Sequence, residues 1–93
     1  MIIRVDLYAM LRRTTGVSSV TIEANGPITL RQLIDLACDK TTPMLRDDLL
    51  DGDKIKKGTL LLVDGRNALF LDGLETLVHA GQEITFFPPG GGG

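Results

Sequence analysis

One strong helix signal, at residues 30–40, divides this chain and limits the folds that it can adopt. Small and branched apolar residues recur there at the spacing that lines one face of a helix, namely Leu30, Leu33, Ile34, Ala37 and Cys38. Thr29 precedes the run and Gln32 follows three residues later, which is the capping-box pattern of a helix start. The sequence therefore predicts one amphipathic helix that must cover something apolar.

Strand-like segments lie on both sides of this helix. Residues 2–8 alternate between apolar and charged side chains, as half-buried strands do. Four more strands are predicted, at about residues 17–23, 59–63, 68–71 and 83–87. We interpret residues 9–16 as a polar connection, 42–50 as a second short helix and 74–77 as at most one helical turn. The order favours an α+β domain, with one sheet covered by one helix.

Length and composition exclude several classes of function. A chain of 93 residues forms one small domain. The formal charge of −2, with both signs mixed along the chain, gives no basic face for nucleic acid. One cysteine and one histidine leave almost no material for a metal site, and we expect none. No segment has the length of a membrane span, so we expect a cytoplasmic protein that binds no membrane.

No catalytic set is recognisable in the sequence. Cys38 belongs to the apolar stripe of the helix, so we interpret it as a small core residue rather than a nucleophile. His79, beside Gly81, is interpreted as a solvated loop residue. Nucleophile elbows and phosphate-binding glycine loops are missing as motifs. We therefore expect a protein that is not an enzyme by itself.

The most unusual segment is the ending, Phe86-Phe87-Pro88-Pro89-Gly90-Gly91-Gly92-Gly93. Prolines keep a chain extended, and glycines can enter a slot too narrow for any side chain. We predict a domain over residues 1–88 and a flexible tail over 89–93 that presents one carboxylate. A carboxylate becomes an acyl donor once it is adenylated with ATP and Mg²⁺, which a partner would supply. The alternative is a disordered tail or a cloning remnant.

Exposed aromatic residues are predicted at the base of this tail. By strand alternation Tyr8 and Phe87 both point away from the core, and Leu69 or Leu71 could join them. Aromatic side chains in such a position are typical of protein interfaces. The alternative for each of them is a place at the edge of the core.

Several short motifs together resemble the MoaD-type family of small sulfur-carrier proteins. They are the run from Val5 to Arg13 closing at Gly16, Thr29-Leu30-x-x-Leu33, Leu62-Val63-Asp64-Gly65, Ala80-Gly81-Gln82-Glu83-Ile84 and the ending Phe86-Phe87-Pro88-Pro89-x-x-Gly92-Gly93. The resemblance spans essentially the whole chain, and the ending is its specific part. It implies a ubiquitin-like β-grasp fold, a mixed sheet of about five strands whose first and last strands are adjacent at the centre.

The resemblance also implies roles for the tail. Gly93 corresponds to the glycine that is adenylated and then converted to a thiocarboxylate, and Gly92 to its required neighbour. Phe87 corresponds to a docking aromatic, and we assign Tyr8, Pro88, Pro89, Gly90 and Gly91 to partner binding with it. Gly90 and Gly91 replace residues that are usually bulkier in the family. The implied partners are an activating enzyme of the MoeB or ThiF type, which uses ATP and Mg²⁺, and a MoaE-like large subunit of molybdopterin synthase; no cofactor is bound by the carrier.

Three functions remain open at this point. The first is a sulfur carrier, for molybdopterin or, as in ThiS-type carriers, for thiamin. The second is a ubiquitin-like modifier that joins its terminal glycine to lysines. The third is a plain binding module whose tail carries no chemistry. The first two share the same activation step, so the sequence barely separates them.

Overall fold

The computed structural model describes residues 1–90. Its strands are β1 (Ile2–Leu7), β2 (Ser19–Glu23), β3 (Ile28–Thr29), β4 (Leu50–Asp51), β5 (Lys54–Ile55), β6 (Leu60–Val63), β7 (Arg66–Asn67), β8 (Leu77–Val78) and β9 (Ile84–Phe87). Its α-helices are α1 (Leu11–Thr15), α2 (Leu30–Lys40) and α3 (Met44–Leu49). Two 3₁₀-helical turns lie at Ala68–Phe70 and Gly73–Glu75.

The main sheet joins the two ends of the described chain. Its strand order is β2-β1-β9-β6-β7, so the first and last strands lie side by side at the centre. Strands β1 and β9 run parallel, with Leu7 opposite Phe86, whereas the other pairs are antiparallel. This mixed five-stranded sheet with one long helix confirms the α+β class that the sequence pattern predicts and the β-grasp arrangement that the resemblance implies. The C-terminal end of β9 therefore lies in the middle of the sheet, with β1 on one side and β6 on the other.

Helix α2 begins where its capping residues place it. The Thr29 hydroxyl accepts a hydrogen bond from the Gln32 amide (3.1 Å), and the Gln32 side chain accepts one from the Thr29 amide (2.9 Å). Both members of the capping box are thus formed, which satisfies two amides that the first helical turn leaves unpaired. The predicted start and face of this helix are confirmed.

The core lies between α2 and the sheet. Alternation along the central strands sends Val5 and Leu7 of β1, and Ile84 and Phe86 of β9, to the buried face. These side chains meet the apolar stripe of α2, including Leu33. Because the inward positions are full, the neighbouring positions Tyr8 and Phe87 fall on the other side of the sheet. The core thus determines which aromatic rings remain accessible.

Three local predictions need correction. The strand predicted at 68–71 is wrong, because pairing ends at Asn67, whose side chain accepts a hydrogen bond from the Leu69 amide (3.0 Å) and starts a 3₁₀ turn. The predicted connection at 9–16 contains helix α1, held by the buried Leu11 and closed by Gly16 at φ +78°. The turn predicted at 74–77 begins earlier, at Gly73, and strand β8 takes its last residue.

Candidate docking site at the root of the C-terminal segment

Tyr8 and Phe87 form an aromatic pair where the last strand ends. The Tyr8 amide donates a hydrogen bond to the Phe86 carbonyl (3.2 Å), which extends the β1–β9 pairing by one residue and brings the two side chains together. Their ring centroids are 4.7 Å apart and their planes differ by 17°. Tyr8 is 36% exposed and Phe87 is partly buried. The pair is therefore ordered by stacking and still open to a partner.

Arg12 on helix α1 lies against the same pair. Its guanidinium carbon is 4.8 Å from the centroid of the Tyr8 ring, a distance at which a cation is attracted by the ring. Its Nε atom also donates a hydrogen bond to the Leu7 carbonyl (2.7 Å). The cation–π contact and the hydrogen bond thus hold the Arg12 guanidinium where the C-terminal segment leaves β9. We call Tyr8, Arg12 and Phe87 the root cluster.

A left-handed residue joins Tyr8 to helix α1. Ala9 has φ +53°, a conformation that alanine adopts at a cost of about 1–2 kcal/mol. The turn at Ala9 redirects the chain so that Arg12, in the first turn of α1, returns to the Tyr8 ring. Strain of this kind is often found where a binding surface must be held in a fixed shape.

The two prolines after Phe87 stay in contact with the folded body. Pro88 is buried and Pro89 is half-buried. Gly58, at φ +89°, lies beside Pro89, and a Cβ atom there would be 3.6 Å from the Pro89 Cα, an ordinary van der Waals contact. The side of the segment next to α1 borders an open groove of about 360 Å³, lined by Ala9, Met10, Arg13, Phe87, Pro88, Pro89 and Gly90. The segment therefore lies against the folded body at Gly58 up to Pro89, with an open groove on its α1 side.

The structure brings together five of the residues predicted for partner binding. Tyr8, Phe87, Pro88, Pro89 and Gly90 are all at the end of β9. Gly91, Gly92 and Gly93 lie outside the described residues, so the role of Gly93 and the division into a domain at 1–88 and a tail at 89–93 stay predictions.

The expected contribution of Leu69 or Leu71 is different. Both follow the edge strand β7, two strands away from β9, and both line other depressions than the groove beside the prolines. They are exposed, but they are not members of the root cluster.

Two residues of this site were not identified from the sequence. Arg12 belongs to a run that looks like a polar connection, and the helical turn that returns it to Tyr8 has no apolar periodicity of its own. No feature of the sequence near Gly58 predicts its position beside Pro89, because that position depends on the pairing of β6 with β9. Gly16 is a common helix-ending residue, and a short helix predicted before it, at residues 11–15, would have indicated that Arg12 turns back toward Tyr8.

Other side chains that could take part in chemistry lie away from the root cluster or are unreactive. Burial raises the pKa of the Cys38 thiol, with a smaller opposing effect from the backbone of Arg46, so the thiol stays protonated near neutral pH. Within residues 1–90 no three histidine, cysteine, aspartate or glutamate side chains converge as metal ligands would. In the same range no helix is long and apolar enough to span a bilayer.

A family model for the ThiS family matches residues 5–93. The match begins within β1 and includes the root cluster and the glycine-rich ending. No curated protein sequence matches the chain.

Several solved structures are similar to this chain in fold. A chain of the BexX/CysO complex of Amycolatopsis orientalis is 28% identical, with a TM-score of 0.80 over 97% of this chain and 98% of that one. Small archaeal modifier protein 1 of Methanosarcina acetivorans is also 28% identical, with a TM-score of 0.73 over 99% and 96%. A protein assigned as subunit 1 of a molybdopterin converting factor, from Pyrococcus furiosus, is 20% identical, with a TM-score of 0.73 over 97% and 99%, and supports the fold alone.

Proposed function

Because the chain belongs to the ThiS family of ubiquitin-like carriers and modifiers, we propose that it is a sulfur carrier whose Gly93 carboxylate becomes a thiocarboxylate. Molybdopterin biosynthesis is the pathway that we propose for it. The observation that carries the proposal is the position of the root cluster. The stacked Tyr8 and Phe87 rings lie directly before the two prolines and the glycine ending.

The proposed chemistry takes place at the last residue. A carboxylate oxygen of Gly93 attacks the α-phosphorus of ATP, pyrophosphate leaves, and a glycyl adenylate forms. A donor at the oxidation level of sulfide then attacks the carbonyl carbon, AMP leaves, and the thiocarboxylate remains. The partner's Mg²⁺ and basic groups stabilise the charge on the phosphates. The carrier contributes the acyl group and no catalytic side chain.

The root cluster has a physical role in this scheme. Ordering a glycine costs about 0.5–1 kcal/mol more than ordering an alanine, so threading a glycine tail into an active site is unfavourable. Contacts between a partner and the folded body can offset this cost. Tyr8 and Phe87 are already stacked, so little side-chain freedom is lost when a partner covers them.

The prolines limit how far the reacting group can travel. Pro89 lies beside Gly58 in the folded body, and four residues follow it in the sequence. Four extended residues reach at most about 13–14 Å. We infer that the partner's nucleotide site lies within this distance of the surface that covers the root cluster.

The proposed partners are of two kinds. One is an activating enzyme of the MoeB or ThiF type that binds ATP and Mg²⁺. The other is a MoaE-like large subunit that receives the tail and uses its sulfur. The BexX/CysO complex is a case in which a chain similar to this one is found with a second protein. A cytoplasmic location, where such partners would be, is part of the proposal.

Intact mass spectrometry tests this function. The full chain would be incubated with its activating enzyme, MgATP and a sulfide-level donor. We expect a mass gain equal to the exchange of one oxygen for one sulfur, confined to the C-terminal peptide. The chain that lacks Gly93 is the control and should gain nothing. If a competent enzyme leaves the mass of the full chain unchanged, the carrier function is wrong.

The second candidate function is a protein modifier. The likeness to small archaeal modifier protein 1 of Methanosarcina acetivorans favours it, at the same 28% identity as the CysO-complex chain. A modifier forms an isopeptide bond between Gly93 and a lysine of another protein, after the same adenylation. Glycyl remnants on target lysines after proteolysis would support this function.

The thiamin pathway is the alternative for the carrier function itself. If the thiocarboxylate supplies sulfur for thiazole synthesis and for no molybdopterin precursor, the carrier serves thiamin synthesis.

A further inference from the structure

Phe70 is the most exposed large apolar side chain of the described residues. It is 86% exposed, at the end of the 3₁₀ turn that follows strand β7. Its neighbour Leu69 is 56% exposed on the same turn. Neither belongs to the root cluster, so the proposed function leaves both unexplained. A phenyl ring and a leucine exposed next to each other form an apolar patch that a partner surface could cover.

A complementary groove lies directly beside this ring. An open depression of about 380 Å³ has Leu69, Ile55 and Leu74 as its apolar lining. Leu69 thus borders the groove on one side and adjoins Phe70 on the other. A second depression near this turn is lined by Val63, Leu71 and Leu77 but also by Asp64, Arg66, Thr76 and Gln82, and its exposed wall is mainly polar, so it is a poorer place for a phenyl ring. On this face an exposed ring and an apolar depression therefore meet at Leu69.

We propose that this face is a two-fold interface between two copies of the chain, with Phe70 of each copy seated in the Leu69–Ile55–Leu74 groove of the other. In a two-fold contact the same patch is used twice, so it must carry both the protrusion and the cavity. Because Leu69 joins the two, the symmetry axis passes near it. The proposal does not depend on the function of the tail.

The charges around the groove fit a second copy. Its rim carries two cations, Arg31 and Lys54, and two carboxylates, Asp53 and Glu75. Such a rim does not repel its own copy, whereas a rim of one sign would. Asp53 is 97% exposed and only 3.6 Å from Arg31, so its carboxylate remains accessible to a cation of the second copy. Charge complementarity thus favours self-association over binding of a strongly acidic or basic partner.

The position of the patch keeps the tail free. Phe70 follows the edge strand β7, whereas the tail leaves from β9 at the centre of the sheet. A dimer formed through the patch leaves Tyr8 and Phe87 accessible. One ring and a shallow groove per copy form a small interface, so we expect a dissociation constant on the order of 10–100 μM.

Sedimentation equilibrium of the full chain over a range of concentrations tests the interface. We expect a monomer–dimer equilibrium that Phe70→Ala weakens by roughly tenfold or more, as loss of a central aromatic anchor does. Met44→Ala is the matched control, because Met44 is a large apolar side chain on α3 with 59% exposure, and it should leave the equilibrium unchanged. Neither change touches the core, so both variants should fold.

A second measurement locates the contact. On dilution, the methyl resonances of Ile55, Leu69 and Leu74 should shift in the unchanged chain and stay constant in Phe70→Ala. A chain that stays monomeric at about 1 mM overturns the proposal, as does a dimer that Phe70→Ala leaves intact. Activation of Gly93, if it occurs, should be the same in Phe70→Ala, so failure of the carrier function and failure of this interface give different results.

Discussion

The ring of Tyr8, the residue after β1, and the ring of Phe87, the last residue of β9, stack with their centroids 4.7 Å apart. The contact exists because β1 and β9 are parallel neighbours, which places the residue after Leu7 beside the residue after Phe86. One pair of side chains therefore joins the two ends of the fold at the point where the glycine segment leaves it.

A double-mutant cycle on this pair is the first prediction. We expect Tyr8→Ala and Phe87→Ala each to lower the free energy of unfolding by about 1–2 kcal/mol, since both side chains are partly exposed. Their coupling should be about 0.5–1.5 kcal/mol, the usual contribution of a stacked pair. Urea denaturation of the two single variants and the double variant measures it.

The same variants separate docking from folding. If the pair is a docking site, Phe87→Ala should weaken the complex with the activating enzyme by about tenfold or more, measured by titration calorimetry. A large loss of melting temperature with unchanged affinity would mean that Phe87 serves the core instead.

Gly58 is the second position to test. Its φ of +89° is unfavourable for any residue with a Cβ atom, and a Cβ would also contact Pro89. We expect Gly58→Ala to destabilise the fold by about 1–2 kcal/mol, as measured by thermal or urea unfolding. Gly26 provides the control, because its φ lies outside the left-handed range and a Cβ there meets open space. Equal effects of Gly58→Ala and Gly26→Ala would rule out the strain at Gly58.

The third prediction concerns pH. Burial raises the pKa of Cys38 in the folded protein, so the unfolded chain releases this proton first as pH rises. Below about pH 8.5, near the ordinary thiol pKa, both states hold the proton and Cys38 adds no pH dependence. Above it, the free energy of unfolding should fall until the folded thiol also ionises, by at most about 1.4 kcal/mol per pH unit.

A variant isolates this contribution from other groups that titrate at high pH. Urea unfolding of the unchanged chain and of Cys38→Ala would be compared between about pH 8 and 10. The difference in stability between the two should shrink or change sign as pH rises. Parallel curves would show that the thiol is not shifted.

How much of the fold was predictable depends on how local its signals are. Thr29 and Gln32 lie within one helical turn, so the capping box and the start of α2 could be predicted from the sequence. Alternation in residues 2–8 likewise predicted which side chains of β1 face the core. The strand order was implied by the resemblance, because nothing in the residues themselves pairs β1 with β9.

The errors arise where a second local conformation competes with the one that the sequence pattern favours. The end of β7 depends on a single hydrogen bond between the Asn67 side chain and the Leu69 amide, which competes with continued strand pairing. The Arg12–Tyr8 contact depends on a left-handed Ala9, a conformation that alanine rarely signals. Of the docking site, Tyr8 and Phe87 were predicted by strand parity, whereas Arg12 and Gly58 required the three-dimensional structure.

The last prediction concerns the terminal residue itself. Deleting Gly93, or adding one residue after it, changes nothing in the part of the chain that the structure describes, so the urea midpoint should not move. Activation should nevertheless be lost, because adenylation requires a free terminal carboxylate at the distance from the folded body that the full-length tail provides. ATP–pyrophosphate exchange with the activating enzyme measures this step directly. Gly90→Ala is the comparison variant: it leaves the terminus intact and its Cβ meets open space in the free chain, so it tests whether the segment before Gly93 is also recognised. Exchange that persists without Gly93 would refute the tail mechanism, whereas loss of exchange in both variants would indicate that the whole glycine segment, and not its carboxylate alone, is recognised.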